Sequence, residues 1–315
     1  MTSLPTSRRN ALKVLGASAG MSLLPGAVGA ATTAKPAAKA NFIYCLNMST
    51  IKGHKLGFVK ELEIASQAGF RSVEIWMDSL QAYLEGGGTL PEARKRLDNL
   101  GLKVENAIGF AQWVVDDDTA RMKGMELLKR EMEMLAQLGC HRTAAPPVGA
   151  TQDPGLDLKR AAERYRAILE LGEQTGVVPQ LELWGFSQNL SRLSEVMYVA
   201  IESGHPSARV LLDVYHLYRG GSSVDSLPLV GKAAIEVFHV NDYPANTPSA
   251  TITDADRVYT GDGVAPLSRI LQYIHNPEKP VVLSLEVFNK DYYAQDPLKV
   301  AQAGLVKMKS MTRSM

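Results

Sequence analysis

Charge of either sign has no surplus in this 315-residue chain: 34 bases stand against 33 acids, and beyond the first thirty residues 31 bases face 33 acids. Without a basic excess there is no electrostatic case for nucleic acid or an anionic membrane surface as partner. Cysteine is scarce. Cys45 and Cys140 are the only two, and they fall on what read as the first and fourth strands of a barrel, which are not neighbours, so no disulfide is expected. The mildly apolar stretch before Ala30 is short and broken by glycine, which argues against a permanent membrane span. A phosphate loop is missing too: Gly86-Gly87-Gly88 lacks the lysine and the fixed spacing, and reads as a flexible connection. What remains, 45% apolar and 21% charged residues, suits a soluble globular chain that can bury a sizeable core.

The amino terminus reads as an address. Arg8, Arg9 and Lys13 precede a Gly- and Ala-rich segment that ends on Val28-Gly29-Ala30, a small-residue cleavage site. This resembles a bacterial twin-arginine export signal, with Ala11 where that signal usually carries an aromatic residue. Residues 1–30 are therefore expected to be a signal peptide cleaved near Ala30, 31–40 a flexible mature terminus, and 41–315 the folded domain. The resemblance implies the twin-arginine translocation machinery as a partner during export, and a periplasmic or otherwise exported location.

From Asn41 onward, short strand-like runs alternate with longer segments of helical spacing. Strands are expected at 42–47, 72–77, 103–108, 142–145, 179–184, 209–214, 236–241 and 280–287. Helices are expected at 56–68, 90–100, 119–138, 158–175, 190–203, 224–232, 265–274 and 297–310. Gly69, Gly101 and Gly139 close three of these helices in left-handed caps. Eight such pairs without a break in composition point to an α/β fold, a (β/α)8 TIM barrel.

In a barrel, alternate side chains face the interior, and functional groups gather at the carboxyl ends of the strands. On the eighth strand Val282, Ser284 and Glu286 share one face and Val281, Leu283 and Leu285 the other, so the polar face must be the inner one. The fifth opposes Gln180, Glu182 and Trp184 to Leu181 and Leu183 in the same sense. Strands six and seven end on Asp213 and His239. Four consecutive strands thus deliver Glu182, Asp213, His239 and Glu286 to one spot. Three carboxylates there would repel one another without a cation, and a divalent metal resolves the conflict. Oxygen-rich ligation with one nitrogen suits manganese, magnesium or cobalt at least as well as zinc. Taken singly, each has a plainer reading: Asp213 a helix cap, Glu286 an ion-pair partner, His239 a satisfied core histidine, Glu182 a strand-end acid. Trp76, Phe110, Trp113 and Trp184 would wall an apolar side of a sugar pocket, and Glu74 and Asn106 are candidates for hydroxyl recognition.

Leu181-Glu182-Leu183, Leu212-Asp213-Val214-Tyr215-His216, Phe238-His239-Val240-Asn241-Asp242 and Leu285-Glu286, with Asp256-Arg257 and then Gly261-Asp262-Gly263, occur in this order. In that order they resemble the xylose-isomerase-like superfamily of sugar (phosphate) isomerases and epimerases. The resemblance spans about Asn41 to the end. It implies that Glu182, Asp213, His239 and Glu286 hold the metal, manganese first among the choices. Glu182 and Glu286 would move a proton on opposite sides of a carbon next to a carbonyl, and His216 and Arg257 would contact substrate oxygens. Two departures matter. Gln188 stands about where the family's ketose epimerases carry a further glutamate, and the stretch between His239 and Arg257 is long enough for a lid. The superfamily's DNA-repair branch uses extra histidines; here the third strand carries Glu105-Asn106-Ala107, and His54, His141, His205 and His275 fit no ligand pattern.

The expected function is a divalent-metal-dependent isomerase or epimerase of an unphosphorylated sugar-like carbonyl compound, such as a ketose, inosose or small hydroxy-carbonyl. An elimination on a keto-glycoside or inosose by a lyase or dehydratase would use the same site. A noncatalytic sugar-binding barrel is the reading from outside the enzymes.

Overall fold

The computed structural model describes residues 41–313; the twin-arginine segment and its cleavage site lie outside the described residues. Eight parallel strands alternate with helices: β1 (Phe42–Asn47), β2 (Ser72–Trp76), β3 (Lys103–Ile108), β4 (Arg142–Ala145), β5 (Val178–Glu182), β6 (Val210–Asp213), β7 (Val237–Val240) and β8 (Val281–Leu285). Their hydrogen-bonded order, β3-β2-β1-β8-β7-β6-β5-β4, curls the sheet into a nearly closed TIM barrel. Between β3 and β4 side chains make the junction: Thr143 Oγ1 donates to the Ala107 carbonyl at 3.3 Å, and Arg142 Nη1 to that of Glu105 at 3.1 Å.

Strand parity follows the sequence pattern. Cys45, Ile108, Ala144, Leu211, Val237 and Val282 pack together in the barrel interior, whereas Leu181, Leu283 and Leu285 join the larger core between strands and helices. Cys45 and Cys140 are both buried free thiols. In β3 the register slips from Val73↔Val104 to Glu74↔Asn106, which leaves Glu105 as an extra residue. Such a bulge re-aims its neighbours. Glu105 accepts from Ser72 Oγ at 3.1 Å near the amino end of the barrel, while Asn106 reaches Glu74. Arg142 and Arg209 both donate to Glu236 at that same end.

The helices start and stop where the sequence punctuates them. Asp157 caps Leu158–Thr175 through the amides of Lys159 and Arg160, and Thr89 with Glu92 forms a capping box on Leu90–Leu100. Gly69 and Gly101 close their helices with φ of 96° and 63°. The expected helix at 224–232 is instead two 3₁₀ pieces, Val224–Leu229 and Lys232–Ala234. Pro228 removes a backbone donor inside the first, and Gly231 takes a positive φ between them. Short helices absent from the sequence reading follow several strands. Met77–Glu85 starts at the residue expected to end β2 and leads into the glycine run, and Val214–Arg219 starts directly after Asp213.

Glu131, on helix Asp118–Gln137, is 3% exposed; Gln81 Nε2 reaches its Oε1 at 3.1 Å, and Oε2 has no partner. Burial pushes its carboxyl up to about 7. The native state therefore holds a proton that the unfolded chain releases above its ordinary value of 4.5, so stability falls as pH rises from there through 7. Glu131→Gln is expected to gain about 2 kcal/mol over the native sequence at pH 8 and little at pH 4, read by urea unfolding at both. A gain of equal size at both pH values would contradict the assignment.

Candidate active site

The carboxyl ends of β5 to β8 converge as the alternation predicts. Glu182 closes β5, Asp213 closes β6, His239 lies on β7 and Glu286 follows β8. All four are at most 4% exposed. Among the described residues, ligand atoms of Asp213, His239 and Glu286 lie within 4.8 Å of one another. Glu182 stands outside that set, on the wall of the same cavity, with Oε2 buried and unpartnered. The cavity, of about 230 Å³, is lined by Glu182, His216, Asp254, Arg257 and Glu286 and by an apolar wall of Trp76, Ile108, Phe110, Trp184, Phe186 and Phe288. A groove of about 630 Å³ between helices Phe58–Ala68 and Met77–Glu85 is larger, but it brings no such convergence of buried ligands.

His239 is fixed from behind. Its Nε2 donates to Glu74 Oε1 at 2.9 Å, while Nδ1 lies 3.2 Å from Glu286 Oε2 and 3.9 Å from Asp213 Oδ2 and makes no hydrogen bond. Glu74 is in turn saturated: Asn106 Nδ2 donates to Oε1 at 2.6 Å, and Asn47 Nδ2 and Ser284 Oγ donate to Oε2. Both Glu74 and Asn106 are fully buried and do not line the cavity. The structure therefore puts them beneath the site rather than at a substrate hydroxyl. Asn47 also donates to Glu286 Oε1 at 3.2 Å and accepts from Trp76 Nε1 at 2.9 Å. Asn241, two residues after His239 and so on the same face, donates to Asp213 Oδ2 at 2.9 Å. Asn47, Asn241 and Ser284 carry no site role in the sequence pattern as read above, although inward parity near a strand end marks all three.

Arg257 compensates the acids here. Nη1 donates to Glu286 Oε2 at 2.7 Å and to Asp213 Oδ2 at 3.2 Å, and Nη2 to Asp254. Its guanidinium lies over the Tyr215 ring, 4.2 Å from the centroid. Asp213 also caps Val214–Arg219 by accepting the His216 amide at 2.9 Å. The plainer readings of Asp213 as a cap and of Glu286 as an ion-pair partner thus hold alongside the cluster. His216 sits on that short helix. Both ring nitrogens face donors, Nδ1 the Gly185 amide at 3.2 Å and Nε2 the Arg257 Nη2 at 3.3 Å, and a neutral imidazole accepts from only one of them. The approach needs glycine: a Cβ at Gly185 would stand 2.2 Å from the His216 carbonyl.

The electrostatics separate the two glutamates. Burial, reinforced by the charges of Glu286 and Glu74, raises the Glu182 carboxyl to about 8. Burial acts on Glu286 in the same direction, but His239 and Arg257 outweigh it and hold that carboxyl well below the usual range. Burial raises Asp213. His239 is lowered by burial but raised overall by Glu74 and Glu286, and His216 is lowered by burial and then by Arg257. The two glutamates of one cavity are thus shifted in opposite directions.

Trp184 is on the cavity wall as expected; Trp113 is not. It is 1% exposed, donates from Nε1 to the Pro146 carbonyl at 2.8 Å and packs against Tyr165. The 244–256 stretch is tied down: Tyr218 donates to the Thr247 carbonyl and Arg219 to that of Ser249. Asp242 holds the glycine motif behind it through the amides of Gly261 and Ala265.

The chain belongs to the xylose isomerase-like TIM barrel family, whose model matches residues 62–311. Among curated relatives it is similar to an inosose isomerase of Halalkalibacterium halodurans, 26% identical over 276 residues that cover 84% of this chain and 96% of the relative. Among solved structures it superposes on an IolI protein with a bound zinc atom at a TM-score of 0.78, with 21% identity and coverage of 87% of this chain and 99% of that one. It also superposes on a probable 3-DHS dehydratase, AsbF, of Bacillus anthracis at a TM-score of 0.68, with 18% identity and coverage of 85% and 99%. Those two structures bear on the fold.

Proposed function

We propose that the chain is a divalent-metal-dependent isomerase or epimerase of a sugar-like carbonyl compound, with Glu182 and Glu286 as the proton-transfer pair. The observation that carries this is the convergence of Asp213, His239 and Glu286 beside a second buried glutamate, Glu182, on the cavity wall. The donor set fits a cation: His239 Nδ1 and Glu182 Oε2 are buried without partners, and three carboxylates with one imidazole favour a hard or borderline ion. Asp213, His239 and Glu286, with Glu182 from the wall, would hold it; manganese is the first choice, with magnesium, cobalt or zinc as alternatives. A bound divalent ion supplies stabilisation of negative charge as it develops on the substrate oxygen.

The chain's own residues do the rest. Glu286 removes the proton alpha to the carbonyl, and Glu182, once protonated, returns one from the other side. His216 and Arg257 hold substrate oxygens, and the apolar wall excludes water. Glu74 positions His239 by accepting Nε2–H, which leaves Nδ1 for the ion. The similarity to an inosose isomerase supports an unphosphorylated cyclic polyol or ketose as substrate. The amino-terminal segment, read as an export signal cleaved near Ala30, would put the reaction in the periplasm or otherwise outside the cytoplasm.

The same cavity would also serve elimination, and the fold shared with a probable dehydratase favours testing it. Incubating the manganese-loaded protein with inososes and unphosphorylated ketoses and reading products by NMR separates the two. Isomers or epimers are expected; an unsaturated product with loss of water or aglycone would make the chain a lyase.

Arg257 and the ion would draw on the same two carboxylates, those of Asp213 and Glu286. Arg257→Met should therefore destabilise the metal-free protein by about 3 kcal/mol, because it strands buried charge. Added manganese should recover more stability in the variant than in the native sequence, measured by urea unfolding. An equal metal shift in both would contradict this competition.

A further inference from the structure

The cavity floor and its mouth differ in chemistry. Glu182, His216, Arg257 and Glu286 at the floor are at most 4% exposed. Around the mouth runs an unbroken series of rings from four different strand ends: Phe288 to Trp76 at 6.0 Å, Trp76 to Phe110 at 5.4 Å, Phe110 to Trp184 at 6.3 Å and Trp184 to Phe186 at 5.2 Å, with Phe186 reaching His216 of the floor at 5.7 Å. Phe110 and Phe186 remain 42% and 39% exposed.

We infer that this collar is a subsite for a flat apolar ring attached to the sugar-like part of the substrate. The inference rests on the proposed reading of the floor and adds a substrate class to it: a carbonyl sugar bearing an aryl or similarly apolar substituent. A bare polyol finds its polar partners at the floor and would leave the collar bare. An isolated exposed phenylalanine is ordinary, but a contiguous band of them beside a buried polar cluster marks a contact surface. The size of the cavity points the same way. At about 230 Å³ it is below the ~300–1,000 Å³ usual for larger ligands, and the five rings are part of its lining, so a substituent on a sugar held at the floor lies against them. Offset or edge-on stacking against them then adds affinity that a methyl group in the same place does not supply.

The test is calorimetric titration of the manganese-loaded full chain with phenyl and methyl glucosides, both anomers of each. The phenyl compound of one anomer is expected to bind about tenfold more tightly than its methyl partner. In Phe110→Ser and Phe186→Ser, the two exposed members, that ratio should fall towards one while the thermal midpoint stays near the native value. Equal affinities in the native protein, no measurable binding of either glucoside, or a preference that survives both substitutions would overturn the proposal. So would a dimer that dissociates in Phe186→Ser without any phenyl preference, which would give the collar to a second copy of the chain. Phenyl preference without solvent exchange into ketoses would leave the collar standing and sink the isomerase reading; exchange without phenyl preference would do the reverse.

Discussion

Glu286→Gln should lower solvent-deuterium incorporation into substrate by a factor on the order of 10³, the scale of a lost general base, while leaving the barrel folded. Glutamine keeps the shape and can accept from Asn47 Nδ2 or from Arg257, which reach different oxygens, but not from both, and it carries no lone pair basic enough to take a proton. The comparison with Glu182→Gln sharpens the result. The amide at Glu182 preserves shape and removes the transferable proton. Exchange through Glu286 should persist in that variant while net conversion is lost. If both variants lose exchange equally, the division into base and acid is wrong; if neither does, both assignments fall.

Glu74→Gln should weaken divalent-metal binding by about 10- to 100-fold, the cost typical of removing the partner behind a ligating histidine. Glu74 accepts from four donors at once, on His239, Asn106, Asn47 and Ser284. An amide offers one acceptor where two are needed, and its NH₂ group faces donors. His239 then loses what directs Nδ1 at Asp213 and Glu286. Because the same change disturbs a buried network, stability and affinity have to be read separately. A lowered thermal midpoint with an unchanged metal dissociation constant would reduce Glu74 to a structural role, whereas weaker binding beyond that explained by unfolding supports positioning.

The barrel was legible because its periodicities are strong: β1, β3 and β4 and helices Leu90–Leu100 and Leu158–Thr175 have the bounds their pattern implies. The inward face of β8 could be read from Ser284 and Glu286 alternating with leucines. Short helices were harder. Val214–Arg219 and Met77–Glu85 begin within apolar runs that continue a strand, and what ends the strand at Asp213 is a cap bond, visible only in three dimensions. The same limit applied to Glu74 and Asn106. Their position on inward faces was readable, but the bulge at Glu105 that brings Asn106 onto Glu74, and the depth that removes both from the cavity, were not. Arg257 was readable as a site residue from its motif. Its contact with Asp213 and Glu286 depends on the 244–256 stretch folding back across β6 and β7, a long-range arrangement with no local signal.

The claim that the buried cluster is a metal centre for proton transfer is tested most directly by deuterium incorporation into an inosose or unphosphorylated ketose in D₂O, with the native protein before and after chelation. Incorporation that is lost on chelation and restored by added manganese is the predicted result. Incorporation that continues unchanged in the stripped protein would contradict it.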